Sequence, residues 1–233
     1  MKILALESSA VAASVALCED EELIAQSFQR SGLTHSRTLL PMARDLLSNC
    51  GVSLHDVDLI AVAAGPGSFT GLRIGVATAK GLAWAEDKPC CGVSTLEAMA
   101  WNVAQVDGIL CCAMDARRKQ VYNALFEARE GQLFRLTEDR AIAAEEVFAE
   151  ENGKKANLLV GDGAKLCYNV ASELGLHPRL APPHLLHQSG WGVARAALEQ
   201  ARRGETTTAE ALVPVYLRLS QAERERLERN QKC

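Results

Sequence analysis

Two acidic residues that end apolar runs are the first residues of this sequence that could do chemistry. Glu7 ends an apolar run at 2–7, and Asp115 follows a second run at 109–114. Carboxylates at strand ends that face one cleft would suit the pair that holds magnesium and water in a duplicated phosphotransferase. Gly65 and Gly67 lie between a third apolar run and a helical stretch, where backbone N–H groups could hold a phosphate. These four residues therefore outline a nucleotide site.

The same residues depart from the patterns of working nucleotide sites. The loop GPGSFTG at 65–71 lacks the Gly-Lys-Ser/Thr of a Walker A loop and the spacing of a dinucleotide fingerprint. A structural tight turn is an equal alternative for this loop. No glycine-rich hairpin follows Glu7 or Asp115 to cradle phosphates. We expect at most a vestigial nucleotide site, with a self-sufficient ATPase or phosphotransferase as the alternative function.

The spacing of histidine, serine and cysteine does not favour other catalytic chemistry. His184 and His187 are three positions apart in a proline-rich loop, with no carboxylate or thiolate beside them. Ser68 does not stand in a nucleophile elbow. The pairs at 90–91 and 111–112 place cysteines inside apolar runs, which predicts buried, reduced thiols. We therefore predict no catalytic residue and no metal ligand in this chain.

Composition and charge indicate a globular protein that does not bind nucleic acid tightly by itself. Hydrophobic residues make up 48% and charged residues 23% of the 233 positions, which are ordinary values. No apolar run reaches the roughly 20 residues that span a bilayer, and the start lacks a signal-peptide layout, so we expect a cytoplasmic protein without membrane contact. The net charge is -4, and basic residues form only small clusters at 117–119, 202–203 and the tail, which disfavours tight tRNA or DNA binding.

Hydrophobic periodicity predicts strands and helices in two similar halves. In the first half we predict strands at 2–7, 12–18, 23–28, 59–64 and 91–93, and helices at 36–50, 70–85 and 95–103. In the second half we predict strands at 109–114, 121–127 and 158–160, and helices at 145–152, 165–174 and 190–203. The repeat predicts an internally duplicated α/β protein. Its parts are a first lobe at 1–104, a smaller degenerate lobe at 105–218, and a charged tail at 219–233 in which residues 222–229 could be helical.

The helix at 70–85 carries small residues at intervals of four, which places them on one stripe. The stripe consists of Gly71, Gly75, Ala79 and Ala83. Each glycine inside a helix costs about 1 kcal/mol relative to alanine. Tight packing must compensate for this cost, either inside the fold or against a second chain.

Motifs along nearly the whole chain resemble the TsaB family of bacterial tRNA threonylcarbamoyladenosine biosynthesis proteins, which often carry a glycoprotease or peptidase-like label. The motifs are LALESS at 4–9, GPGSFTGLRIG at 65–75, GVSTL at 92–96, MDAR at 114–117 with VY at 121–122, and PVYLR at 214–218. The resemblance implies a duplicated actin-like ATPase fold of the ribonuclease H-like kind, in which two lobes have mixed sheets flanked by helices. The family typically has aspartate where Glu7 stands, a departure that weakens a nucleotide role for the first lobe.

The resemblance also implies a non-catalytic role in a complex. TsaB-like proteins pair with TsaD, which carries a metal and transfers threonylcarbamoyl to N6 of adenosine 37 in tRNAs reading ANN codons; the ATPase TsaE joins them. We therefore expect no intrinsic cofactor, ATP or ADP and magnesium only at the level of the complex, tRNA only within it, and a homodimer when the chain is alone. TsaD-like chains hold their metal with a His-x-x-x-His pair that this sequence lacks, so a peptidase is the weaker alternative.

In the family, the first two helices of the first lobe form the pairing surface, and here they correspond to 36–50 and 70–85. The interface residues that we expect from this correspondence and from the small-residue stripe are His35, Leu39, Ala43, Leu46, Gly71, Arg73, Gly75, Ala79 and Lys80. Arg73 and Lys80 could pair with acidic residues on the rim of the partner. We expect Gly75→Leu to weaken partner binding more than it unfolds the chain.

Overall fold

The computed structural model describes residues 1–218. The predicted tail and its helix at 222–229 lie outside the described residues. The strands are β1 (Lys2–Glu7), β2 (Ala13–Glu19), β3 (Glu22–Gln29), β4 (Leu59–Gly65), β5 (Cys90–Ser94), β6 (Gly108–Asp115), β7 (Gln120–Arg129), β8 (Gln132–Arg135), β9 (Arg140–Ala143), β10 (Ala156–Val160) and β11 (Arg179–Leu180). The α-helices are α1 (His35–Cys50), α2 (Phe69–Ala85), α3 (Thr95–Trp101), α4 (Ala144–Val147), α5 (Glu151–Lys154), α6 (Ala164–Glu173) and α7 (Gly190–Arg202).

The first sheet has the strand order β3-β2-β1-β4-β5. Strands β1, β2 and β3 are antiparallel neighbours, whereas β1, β4 and β5 run parallel. Alternate residues of β1 enter two different cores, because successive side chains of a strand point to opposite faces. Leu4 and Leu6 pack with α1 and α2, and Ile3 and Ala5 pack with α3 and α7. The sheet is therefore covered by helices on both faces.

The second sheet has the order β11-β10-β6-β7-β8, with β9 also paired to β7. Its central hairpin, β6–β7, is antiparallel, and β10 lies parallel to β6. The helices α4 and α6 contribute to one core of this sheet, and α3 contributes to the other. Because β1–β2 and β4 have the same arrangement in the first sheet, the predicted duplication is confirmed in the topology of the two sheets.

The structure corrects the assignment of the last part of the second lobe. Helix α7 packs on β1, β2 and α3 of the first sheet instead of covering the second. Beyond it, Thr207 forms a bridge with Cys90 at the edge of the same sheet. The chain thus returns to the first lobe after residue 189, because α7 supplies the apolar face that β1 and β2 need on this side. The boundary at residue 104 stays a prediction.

The helix predicted at 145–152 is wrong, since two short helices replace it. Helix α4 ends at Val147 and α5 begins at Glu151. Gly153 packs so closely on α4 that a Cβ there would lie 1.7 Å from the carbonyl oxygen of Val147. The two helices therefore fold back on each other instead of continuing in one direction.

Within residues 1–218, no helix combines the length and the apolar character that crossing a membrane requires.

Candidate functional site

A cleft of about 630 Å³ opens between the ends of β1 and β6. The turn after β1, the N-terminus of α2, the turn after β6 and the last described residues of the chain line it. The lining residues are Ser9, Ala10, Val11, Gly67, Ser68, Phe69, Thr70, Met114, Asp115, Ala116, Arg117, Tyr122, Asp162, Val215, Tyr216, Leu217 and Arg218. Of the four residues predicted for a vestigial nucleotide site, the cleft brings together Gly67 and Asp115. Glu7 and Gly65 do not line it.

Glu7 is fully buried behind the lining residue Ser9. The Ser9 N–H donates a hydrogen bond of 2.5 Å to Glu7 Oε1, whereas Oε2 has no partner among the described residues. Burial raises the pKa of Glu7 to about 7, and the nearby Asp162 adds to this increase. A carboxyl group in this environment is protonated in a large part of the molecules at neutral pH.

Asp162 is a cleft residue that the sequence patterns did not single out, although it lies in the Gly-Asp-Gly that follows β10. Its side chain is half-buried and accepts a 3.2 Å hydrogen bond from Gln188 Nε2. Burial raises the pKa of Asp162, and the negative charge of Asp115 acts in the same direction. The repeat of a strand followed by Gly-x-Gly, seen at 65–67 and 161–163, is the signal that could have identified it.

Asp115 is exposed, but its carboxylate is hydrogen-bonded within the turn after β6 and helps to form that turn. Its Oδ1 accepts a 2.7 Å hydrogen bond from the backbone N–H of Arg117. Arg117, Arg118 and Lys119 then adopt positive φ angles of 63°, 54° and 61°, a region that non-glycine residues occupy at some cost in energy. The result is a tight turn whose three central side chains are basic and exposed.

The residues of the cleft do not fit the magnesium–nucleotide site of an actin-like ATPase. No group of three or more potential metal-binding side chains occurs within residues 1–218. The glycines of the 65–71 loop serve close packing: a Cβ on Gly67 would lie 2.6 Å from the Ser9 carbonyl oxygen, and one on Gly71 2.1 Å from that of Ser8. This geometry favours the structural tight turn over a phosphate loop.

A segment at 207–218, here called the strap, runs along α2 and was missed by the sequence patterns as a structural element. Near one end of α2, Lys80 Nζ donates hydrogen bonds of 3.1 Å to the carbonyl oxygens of Glu210 and Leu212. At the end of β4, the Val215 N–H donates to the Ala64 carbonyl oxygen at 2.7 Å. Lys80 is therefore engaged inside the chain, and its pairing with acidic residues on the rim of a partner stays a prediction.

Aromatic and basic side chains fasten the end of the strap at the cleft. The Tyr216 ring stacks on Phe69 with centroids 4.4 Å apart, and the Arg73 guanidinium lies 4.0 Å from the Phe69 centroid. Arg73 Nε also donates to Tyr216 Oη at 3.1 Å. Arg218 Nη1 reaches across the cleft to the Ala116 carbonyl oxygen at 2.6 Å. The PVYLR motif thus joins the two lobes at the mouth of the cleft.

The small-residue stripe of α2 packs inside the fold, which corrects its expected place in a partner interface. The space beside Gly75 is already filled by other residues. A Cβ on Gly75 would lie 2.5 Å from Ser8 Oγ and 3.2 Å from Val62 Cγ2. The expected interface residues that are buried within the chain are Leu39, Ala43, Leu46, Gly71, Gly75 and Ala79. The reason is that the apolar faces of both helices cover the first sheet. His35 is half-buried, with Nε2 2.7 Å from the Ala10 carbonyl oxygen, and only Arg73 of the nine is exposed.

The opposite side of the two helices, here called the outer face, is defined by Leu40, Ala77, Gly81 and Trp84. Leu40 is 51% and Trp84 65% exposed. Gly81 stands in the last third of α2, and a Cβ there would meet no atom of the described residues within 4 Å. Because α1 and α2 lie side by side on the first sheet, the outer face is a surface of both helices.

Comparisons with known proteins extend over nearly the whole chain. A family model described as TsaD, tRNA N6-adenosine threonylcarbamoyltransferase, matches residues 29–225. The chain is 34% identical to the tRNA threonylcarbamoyladenosine biosynthesis protein TsaB of Escherichia coli (strain K12), over 94% of this chain and 95% of that protein. The solved structure of YeaZ from Pseudomonas aeruginosa is 31% identical, with a TM-score of 0.80 over 93% of this chain and 99% of that chain.

A more distant structure shows the same fold without a functional link. The ethanolamine utilization protein EutJ from Carboxydothermus hydrogenoformans matches with a TM-score of 0.52 at 14% identity, over 84% of this chain and 90% of that chain. Together with the two related sheets, these similarities confirm the predicted duplicated actin-like α/β fold. The chain belongs to the TsaB family of tRNA threonylcarbamoyladenosine biosynthesis proteins.

Proposed function

We propose that this chain is a non-catalytic subunit of the tRNA threonylcarbamoyladenosine machinery, and that it pairs through the outer face with a catalytic subunit of the TsaD type. Its role is to stabilise the active arrangement of that subunit and to form the platform that the ATPase TsaE and tRNA meet. In the absence of the catalytic subunit, a second copy of this chain occupies the same face. The observation that carries the proposal is the exposure of Trp84 beside Gly81 on α2.

Gly81 supports a close contact with another chain because nothing within residues 1–218 requires a glycine there. Its φ is not positive, and a side chain would enter open space. A glycine in a helix interior costs about 1 kcal/mol relative to alanine. A partner helix that approaches the backbone of α2 at Gly81 would offset this cost. The exposed Trp84, one turn away, offers the large apolar side chain typical of an interface anchor.

The chemistry of the cleft supports a non-catalytic role for this chain. Asp115 uses its carboxylate to form the turn after β6, and Glu7 is buried with a raised pKa. Magnesium-dependent nucleotide binding by the isolated chain, lost in Asp115→Asn, would instead support a self-sufficient ATPase.

Light scattering on the purified chain, alone and mixed with its TsaD counterpart, tests the proposal. We expect a homodimer that exchanges into a heterodimer, and we expect Gly81→Leu to prevent both associations without unfolding the chain, which should keep a cooperative melting transition. Ser172→Leu is the matched control, because it adds the same side chain at an exposed position of α6 in the second lobe. A Gly81→Leu chain that still pairs like the unmodified chain would place the interface elsewhere. A chain that stays monomeric and ignores TsaD would return the enzyme alternative to first place.

A further inference from the structure

We propose that the mouth of the cleft binds a single-stranded nucleotide segment of RNA, with phosphates on the turn after β6 and a base on Tyr216. This inference rests on the proposed role in tRNA modification and adds a binding site on this chain. The turn after β6 and the strap stand on opposite sides of the cleft, and they supply the cations and the aromatic ring that such a ligand needs.

The cationic side of the site is the turn at Arg117, Arg118 and Lys119. All three side chains are exposed, and none forms an ion pair within the described part of the chain. Elsewhere on the chain, exposed cations such as Arg44 and Arg203 are paired with neighbouring carboxylates. Three unpaired cations on one tight turn can contact adjacent phosphates of one strand.

The conformation of this turn is held by bonds from three directions. The Asp115 carboxylate accepts from the Arg117 N–H, and the Gln120 N–H donates to the Arg117 carbonyl oxygen at 3.1 Å. The Lys119 carbonyl oxygen accepts from the Ala144 N–H at 3.2 Å, and Arg218 bonds to Ala116. The three cations therefore project from a fixed backbone, which lowers the entropy lost when they bind a ligand.

The aromatic side of the site is a stack that ends at Tyr216. Arg73 and Tyr216 both contact the Phe69 ring, and Tyr216 lines the cleft while remaining 37% exposed. Tyr122 lines the opposite wall. A base that enters the cleft can extend the stack on Tyr216. The cleft volume of about 630 Å³ lies within the range of roughly 300–1,000 Å³ typical of small-ligand pockets.

The distribution of negative charge favours binding of an RNA strand at the rim of the cleft over binding of a free nucleotide in its interior. Asp115 and Asp162 line the interior, and within residues 1–218 no set of ligands is arranged to hold a metal ion between them and a phosphate. Phosphates are therefore repelled from the floor and attracted to the turn. Glu145 and Glu146 follow Ala144 on α4 and reduce the positive field, so the site contributes to binding in the complex but does not bind RNA tightly by itself.

The test measures RNA binding by the complex of this chain with its TsaD counterpart. The probe is a fluorescein-labelled, unmodified tRNA transcript that reads an ANN codon, followed by anisotropy at several salt concentrations. For R117Q/R118Q/K119Q we expect at least a tenfold weaker Kd at low salt, and a salt slope of log K that is smaller by about 2, since each lost phosphate contact removes about 0.7–0.9. The charge-matched control is K154Q/K155Q/R179Q, because these exposed residues precede β10 or begin β11 at the other end of the second sheet. The control should bind like the unmodified complex.

Tyr216→Leu separates stacking from charge. We expect it to weaken RNA binding about fivefold or more while the salt slope stays unchanged, with the melting temperature as the check that the strap still folds. An unchanged Kd and slope in the triple variant would overturn the proposal, and so would an equal loss in the triple variant and its control. Displacement of the RNA by free AMP or ATP would overturn it in favour of a nucleotide pocket. Light scattering on the same variants reports pairing with TsaD, so a failure of the subunit role is seen separately from a failure of the RNA site.

Discussion

Gly75 and Gly81 stand six residues apart in the same helix, but they face different sides of it. Gly75 faces Ser8 in the turn after β1 and Val62 in β4, which leave no room for a side chain. Gly81 faces outward and has open space around the position of a Cβ. The comparison teaches that a small residue in a helix indicates a close approach without indicating by what. On the inner side of α2 the approaching group belongs to the chain itself, whereas for the outer face we propose that it belongs to a second chain.

The largest loss of stability is expected from a substitution on the inner side of α2. Gly75→Leu forces a side chain into Ser8 and Val62, and overpacking of a full core costs about 3 kcal/mol or more for so large a side chain. We expect the free energy of unfolding, measured by urea denaturation, to fall by this amount or the chain to fail to fold. A Gly75→Leu chain with the normal urea midpoint and lost partner binding would contradict the difference between the two glycines, because Gly75 would then contact a partner as Gly81 is proposed to do.

A second effect concerns Glu7, which is buried on the same inner side next to Ser8 and Ser9. Its pKa rises from 4.5 to about 7 in the folded chain, so the folded chain binds more protons than the unfolded chain between these values. The protonated Glu7 carboxyl therefore gives its full contribution to the free energy of unfolding below pH 4.5. This contribution is lost as the pH rises through about 7. Glu7→Gln should increase the free energy of unfolding at pH 8.5 by up to about 3 kcal/mol and change it little at pH 4.5.

Urea denaturation at the two pH values measures this difference. Glu173→Gln, at an exposed position of α6, is the control for loss of one carboxylate. Equal stability of the Glu7→Gln and unmodified chains at both pH values would show that Glu7 is solvated, and the inner side would then be less closed than the glycine contacts indicate.

A smaller effect is expected for the strap along the flank of α2. Arg73→Ala removes the guanidinium from the Phe69 ring and its hydrogen bond to Tyr216. For an exposed contact of this kind the loss is about 1 kcal/mol, seen as a lower urea midpoint. Arg37→Ala, at an exposed position of α1, should leave the midpoint unchanged. Equal midpoints for the two variants would mean that the strap does not depend on this stack.

The smallest effect on stability has the opposite sign. Gly81→Ala should raise the melting temperature slightly, because alanine in an exposed helix interior stabilises by about 0.5–1 kcal/mol. Differential scanning calorimetry measures this gain. Lower stability in Gly81→Ala, measured at concentrations at which light scattering shows a monomer, would sink the idea of an open outer face, since it would reveal a contact of Gly81 within the chain.

Much of the fold follows from periodicity, and the errors have physical causes. Residues 59–64 are apolar without alternation, which predicts a strand covered on both faces, and β4 lies inside such a sheet, between β1 and β5. The pattern of α7 predicts an apolar face but does not say which sheet that face covers, so its return to the first sheet was missed. The strap has almost no periodic structure, and its position depends on single contacts such as Tyr216 on Phe69.

The candidate site was only partly predictable for a related reason. Glu7 and Asp115 were identified because each ends an apolar run, but local sequence does not report burial, and burial is what separates the two carboxylates. The orientation of the glycine stripe was also out of reach. A helix that is apolar on most sides gives little indication of which side faces the sheet.

The return of α7 to the first sheet has a consequence for synthesis on the ribosome. Ile3, Ala5 and Ala61 lie in one core with α7, so the part of this side of the first sheet that α3 does not cover stays open until residues 190–202 have left the exit tunnel. The N-terminal half cannot complete its core while the second half is still being translated. The two lobes must therefore mature together, and a chain that is cut after the first lobe would expose an apolar sheet face to chaperones and proteases.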